Sequence, residues 1–347
     1  MKKNNQNRDS NIELLRIISM ILIILHHMVY HTKIYMYSGE NHILSLILLT
    51  GGKIAVIVYI LIMGYYSKKS KFNIKKPINI ILKTIIYTTL FMVIFKDKYH
   101  DIKEYTQYWF VNTWLILLFL TPIILRFEKE IPKKVRIILF VYITVIFIMQ
   151  GKRNTDIEGF IYFYLCGRHV LPYIIKILDK PILNVFIVAV LYLCIIAFRL
   201  EMEQNTIFPL MAAMLIFAIF INIKIKSNWI NKIAKHSMGV YLIHDNVNVR
   251  NEMMLNKLNM FSIFQSRYFL IASISISVLI FIICTIIDYF VSLIIEKTIF
   301  KSKKINDGMS EINSYVNNFL NGERIKNENK QKYNKKLSNS NNNFVNI

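Results

Sequence analysis

The sequence predicts an all-α, polytopic integral membrane bundle of about ten transmembrane helices with both termini cytoplasmic. Three observations predict it. First, 54% of the 347 residues are hydrophobic and the mean hydropathy is +0.40, more apolar surface than the wetted outside of a soluble domain accepts. Second, apolar runs of about 18 to 22 residues recur along nearly the whole chain, the length a helix needs to cross a bilayer core. Short strands at barrel spacing are missing from the pattern, so helices are expected to do the spanning. Third, the basic residues collect in alternate loops.

Reading the apolar runs between charged breaks places spans near 12–32, 43–67, 78–95, 108–125, 135–150, 158–178, 182–198, 206–223, 233–249 and 268–296. The ninth is the weakest, because "SMGVYLIHDNVNV" is short and partly polar. The last is long enough to tilt or to continue past the bilayer. Strongly basic segments precede the first span (Lys2, Lys3, Arg8) and follow the second, fourth, eighth and last, whereas the alternate loops 97–107 and 199–205 are charge-mixed or acidic. All the basic segments share one side only if the number of spans is even and both termini are cytoplasmic. A multi-pass protein of a cell membrane, most simply the bacterial plasma membrane, is expected.

Two regions follow from this: a transmembrane domain over 1–300 and a basic cytoplasmic tail over 301–347. The tail is rich in Asn and Lys and poor in aromatics, which predicts disorder, with a short amphipathic helix near Met309–Leu320 as the alternative. The net charge of +22 does not call for a nucleic acid, because the lysines sit between apolar segments, where cytoplasmic loops and lipid headgroups account for them. Cys166, Cys194 and Cys284 lie inside apolar runs without ligand spacing and read as small packing residues. The first apolar run is of span length and lacks a small-residue cleavage site, so it is expected to stay as the first helix.

Ionisable groups at membrane depth are costly and are therefore functional candidates. In the first span Arg16 and His27 are eleven residues apart, about three turns, so they share a face with ~16 Å of rise between them. Glu13 lies one turn before Arg16 and can pair with it. An imidazole can take a proton from a hydroxyl and return it; the competing reading makes Arg16 a snorkelling anchor and the histidines, His31 above all, interfacial. A second focus is "AKHSMGVYLIHDNVNVR", where Ser237 and His244 fall on nearly one helix face and His244 and Asp245 interrupt an apolar span. Capping by Ser237 and a packed histidine are the alternatives there. Arg168 and His169 form a third focus, and Lys53 and Tyr59 lie in the second span. Asp288 is deep in the last span and needs a partner that the sequence does not name. Trp109, Phe110 and Trp114 read as an interfacial aromatic belt, with substrate stacking as the second reading for the tryptophans, and Pro122 as a kink or stop.

Several of these segments in order resemble the acyltransferase family 3 of integral membrane acyltransferases. "IELLRIISMILIILHHMVYH" is similar to that family's first span, with an arginine followed by a histidine. "GGKIAVIVYILIMGYYS", "YWFVNTWLILLFLTP", "FYLCGRHV" and "INKIAKHSMGVYLIHD" resemble its later segments, and together they cover about residues 8–296. The resemblance implies transfer of an acyl group, usually acetyl from acetyl-CoA, to a hydroxyl of a cell-surface polysaccharide or lipid-linked glycan, with no metal. It also implies roles. His27 would be the essential base or acyl-relay residue, with Glu13 holding Arg16 and His244 completing the catalytic set. Arg16 would contact the CoA phosphates, with Lys75, Lys76 and Arg168 as further donor-binding cations. Tyr241, Ser237 and Trp109 would be on the substrate side. Two departures bear on donor binding: Met63 stands where the family often has serine, and Lys75 and Lys76 stand where it usually has arginines. The alternative function is a transporter or polymerase of glycan precursors; the short outer loops argue against a polymerase.

Overall fold

The computed structural model describes residues 9–67, 71–95, 108–177, 180–197 and 205–321. The segments 97–107 and 199–204, the N-terminal Lys2, Lys3 and Arg8, and the tail beyond 321 lie outside the described residues. Among the described residues the structure is entirely helical, with no strand.

The chain begins with α1 (Ser10–Thr32), α2 (His42–Tyr66), α3 (Lys75–Ile94) and α4 (Trp109–Glu130). It continues through α5 (Lys133–Gln150), α6 (Asp156–His169), α7 (Leu171–Ile177), α8 (Pro181–Ala197) and α9 (Ile207–Asn222). Short pieces follow, α10 (Asn228–Ile233), α11 (Ser237–His244), α12 (Val247–Val249) and α13 (Met260–Gln265), before α14 (Phe269–Thr298) and α15 (Lys303–Asn321). Five of these, α1, α2, α3, α4 and α14, are long and apolar enough to cross a membrane. The apolar side chains that α5 and α14 leave exposed, among them Ile138, Val141, Ile286 and Phe290, are the surface a lipid would cover.

α1 and α2 form the central pair, and α2 is buried along most of its length between α1, α6 and α9. Such closeness needs small residues where backbones meet. Gly64 of α2 lies against the carbonyl of Tyr164, and Gly167 of α6 lies against the carbonyl of Leu61, so the two helices touch backbone to backbone. A side chain at either position would overlap main chain that cannot step aside. Gly64→Leu is expected to force α2 and α6 apart and cost roughly 1–3 kcal/mol or more, read as a lower unfolding temperature of the detergent-solubilised protein.

The basic segments collect at the end of the bundle where α1 begins. Ser10 and Asn11 bond to the backbone of Ser227 and of Phe220 and Ile221, Tyr66 donates to Asp9, and Lys75 pairs with Glu296. We call this the basic end and the opposite one the far end.

Two expectations are corrected. The ninth span is not one helix over 233–249: α11 stops at His244, with Asp245 beyond it. Asn246 causes the break. Its backbone is extended, its side-chain oxygen accepts from the amides of Asn248 and Val249, and its amide donates to the Tyr108 hydroxyl at 2.9 Å, which donates to the Leu242 carbonyl at 3.0 Å. Side-chain capping of this kind competes with a continuing helix.

The tail is also not disordered over 303–321, where α15 forms and docks. Asn313 accepts from the Ile74 amide at 2.7 Å, Asn317 exchanges bonds with both backbone groups of Phe72, and Arg126 and Lys129 donate to the carbonyls of Phe319 and Leu320. Polar sequence alone suggested no core to fold against; the core is supplied by the basic end, where Met309 and Leu320 are buried.

Candidate active site

Two cavities approach each other from the two ends. The basic-end cavity, about 440 Å³, is lined by Arg16, Tyr59, Lys71, Lys76, Lys83 and Ser237, with Leu320 of α15 at its margin. The far-end cavity, about 410 Å³, is lined by His27, His31, Lys53, Trp109, Asp245 and Arg250 among others. They share no lining residue. Between Tyr59 and His27 runs a series of ring contacts: Tyr59 to Phe110 at 6.1 Å, Phe110 to Tyr241 at 5.3 Å, and Tyr241 to His27 at 6.1 Å between centroids. Phe110 and Tyr241 are both buried.

The far-end site is made by α1 and the broken helix. His244 and Asp245, about 100° apart on the last turn of α11, both reach α1; the Asp245 amide still bonds to the Tyr241 carbonyl, and the chain leaves the helix at Asn246. His27 Nδ1 lies 3.0 Å from His244 Nε2 and 3.4 Å from Asp245 Oδ1, and both histidine and aspartate are buried. His244 Nδ1 sits 2.7 Å from the Val240 carbonyl. A carbonyl only accepts, so that nitrogen carries the proton, and neutral His244 therefore presents a bare Nε2. His27 Nδ1 must then be the donor, which leaves His27 Nε2 without a proton. Two hydrogen bonds thus select the tautomer of His27 in which Nε2 is the basic atom.

The neighbouring histidines part company here. His26 holds the Leu49 carbonyl through Nδ1 at 2.6 Å and stacks on Tyr30, and the absence of a Cβ at Gly52 leaves room for it. His31, expected at the interface, instead brings Nε2 to 3.5 Å from Asp245 Oδ1. Arg250 Nη1 reaches the same oxygen at 3.5 Å.

At the basic end, Arg16 is partly exposed and its guanidinium lies 3.4 Å from the buried Glu13, while the Tyr59 hydroxyl donates to the Arg16 carbonyl at 2.9 Å. Ser237 begins α11 on this cavity, whereas His244 ends α11 behind His27 and lines neither cavity, so the two do not share one; Tyr241 stands between them. Lys76 lines the cavity. Lys75 does not: it turns outward to Glu296 at 2.9 Å and lies over the Phe300 ring. Arg168 is not on the cavity either, since Glu128 at 2.7 Å and Ser67 at 2.9 Å hold it, with His169 on the other Glu128 oxygen, tying α2, α4 and α6 together. Trp109 lines the far cavity and packs edge-on against Phe110 and Phe160.

A family model described as an acyltransferase domain, that of acyltransferase family 3, matches residues 9–295. The chain belongs to that family. This acyltransferase 3 protein is therefore a multi-pass membrane protein of an acyltransferase class, and the match embraces the far-end cavity, the partition and all of the basic-end cavity's lining except Leu320, which lies on α15 beyond it. No curated protein and no solved structure matches the chain.

Sequence reading missed Asp245 as a partner of His27, and also Lys83 and Lys71 as cavity residues, and it placed Phe110 in an interfacial belt although Phe110 is buried between the cavities. Asp245 carried a signal, an acid beside a histidine in an apolar run. Lys83 carried one as well, a lone lysine within the third span.

Proposed function

We propose that the protein is a membrane O-acetyltransferase that takes acetyl from acetyl-CoA at the basic end and esterifies a hydroxyl of a cell-surface polysaccharide or lipid-linked glycan at the far end. The observation that carries this reading is the His244–His27 pair, which leaves one imidazole nitrogen basic beside a cavity on the opposite side from Arg16. The basic end is taken to face the cytoplasm, as the loop charges require.

At that end Arg16, Lys71 and Lys76 suit the phosphates of a CoA, Arg16 as a fork and the lysines as point charges. At the far end His27 Nε2 takes the acceptor hydroxyl's proton as the oxygen attacks the thioester carbonyl. Asp245 stabilises the imidazolium that results, and His244 keeps the ring oriented. The C–S bond breaks, and the CoA thiolate leaves with a proton returned from His27. The partition of Phe110 and Tyr241 must shift for the thioester to come within reach, since the ring series fills the space between the cavities.

The test uses proteoliposomes with acetyl-CoA enclosed and a bacterial surface glycan outside. Acetyl ester on the outer glycan supports the reading; acetyl-CoA consumption with ester only on lumenal acceptor, or none, sinks it.

α15 gives a further expectation. Asn313 and Asn317 hold the segment that presents Lys71 and Lys76. The double variant Asn313→Ala with Asn317→Ala should raise the KM for acetyl-CoA several-fold, leaving kcat at saturating donor near the starting value, as steady-state kinetics would show.

A further inference from the structure

The reaction above uses His27, His244 and Asp245 and leaves His31 without a task. Its Nε2 is shielded from solvent and makes no hydrogen bond, although it lies 3.5 Å from Asp245 Oδ1. His27 and His31 are four residues apart on α1, the spacing that turns two imidazoles to one helix face. Their ring nitrogens and the Asp245 oxygen lie within 4.8 Å of one another.

Those distances match a metal's coordination shell. Four ligands at roughly 2.0–2.1 Å around a tetrahedral zinc ion are separated from one another by about 3.3 Å. His27 Nδ1 to Asp245 Oδ1 is 3.4 Å and His31 Nε2 to Asp245 Oδ1 is 3.5 Å. Arg250, at 3.5 Å from the same Asp245 oxygen, opposes cation binding in part; its guanidinium is partly exposed and on the cavity margin.

We propose that His27, His31 and Asp245 form a binding site for a zinc-type divalent cation, reached from the far-end cavity. Imidazole nitrogen with a single carboxylate selects zinc, cobalt or nickel over magnesium or calcium, which require oxygen shells. A second consequence rests on the reading given under Proposed function. The nitrogen that would hold the ion, His27 Nδ1, is the one whose proton bonds to His244. A metal there shifts the ring's proton to Nε2, so the base is lost, and metal binding and acyl transfer exclude each other. Zinc on the far side then acts as a reversible inhibitor.

The experiment titrates cobalt(II) into the purified, metal-stripped full chain in nanodiscs, followed by its visible absorption, with zinc and magnesium as competitors. About one cobalt per chain with the intense bands of a low-coordinate nitrogen and oxygen site is expected, displaced by zinc and not by magnesium. His31→Gln should weaken binding by more than about 10- to 100-fold, the loss that a mere outer-shell partner causes, while keeping the unfolding temperature of the metal-free protein. Absence of bound cobalt, or binding indifferent to His31→Gln, overturns the site. Because absorption reports the metal directly, that result is independent of whether acetyl transfer is observed. Where transfer is observed, zinc should inhibit it and His31→Gln should blunt the inhibition; full activity at saturating zinc would overturn the exclusion.

Discussion

His27→Ala is expected to abolish the proposed acetyl transfer while the protein still accumulates in the membrane at its normal level. The loss expected from removing a positioned general base is about 10²- to 10⁴-fold. His27 lies in a cavity wall whose removal leaves α1 and α2 packed as before, because the contact that seats α1 on α2 here is made by His26 against the Leu49 carbonyl. His26→Ala should behave in the opposite way, lowering stability more than turnover. O-acetyl content of the surface glycan, measured beside immunoblot levels of each variant, separates the two. Normal acetylation in His27→Ala would remove this residue from the reaction.

The second large effect is on stability, at Asp288. Its carboxylate is fully buried in α14 and accepts from donors on two other segments: Lys83 Nζ at 2.7 Å and the Tyr87 hydroxyl at 2.6 Å, both on α3, and His236 Nδ1 at 2.7 Å from the turn before α11. Gly239 of α11 lies against it, and any Cβ there would overlap the carboxylate. Asp288→Ala leaves the Lys83 ammonium, itself buried, without its counter-charge. Breaking one side of such a pair costs about 3–5 kcal/mol, whereas replacing both partners by apolar groups is often neutral. Asp288→Ala is therefore expected to unfold at markedly lower temperature in a fluorescence-detected gel-filtration assay, and Lys83→Met with Asp288→Leu to recover most of the loss. A double variant no better than the single one would show that the carboxylate is needed for its bonds to Tyr87 and His236 rather than for charge.

The two residues show how far the chain could be read unaided. Asp288 stood out as an acid in an apolar span, but Lys83 and Tyr87 lie about 200 positions away on α3 and His236 lies 52 positions away, and no local pattern points to them. Lys75 and Lys76 are adjacent and look alike in sequence. On a helix they diverge by about 100°, so one lines the cavity and the other turns to Glu296. Arg168 looked like a donor ligand because arginine at membrane depth is costly; Glu128, 40 positions earlier, already compensates it.

By itself the sequence determined that the chain is a helical membrane protein of an acyltransferase family, with Arg16 and His27 on one face of its first helix. Composition, run length and the helical period are local properties, set by how each residue partitions between water and lipid and by 3.6 residues per turn. Only the tertiary structure decided that His27, not His26, meets His244 and Asp245, and that His31 joins them. That meeting spans 217 positions and depends on a helix broken at Asn246 and held by Tyr108 from α4's start. A side chain's chemistry is written in its own position, but its partner is chosen by packing.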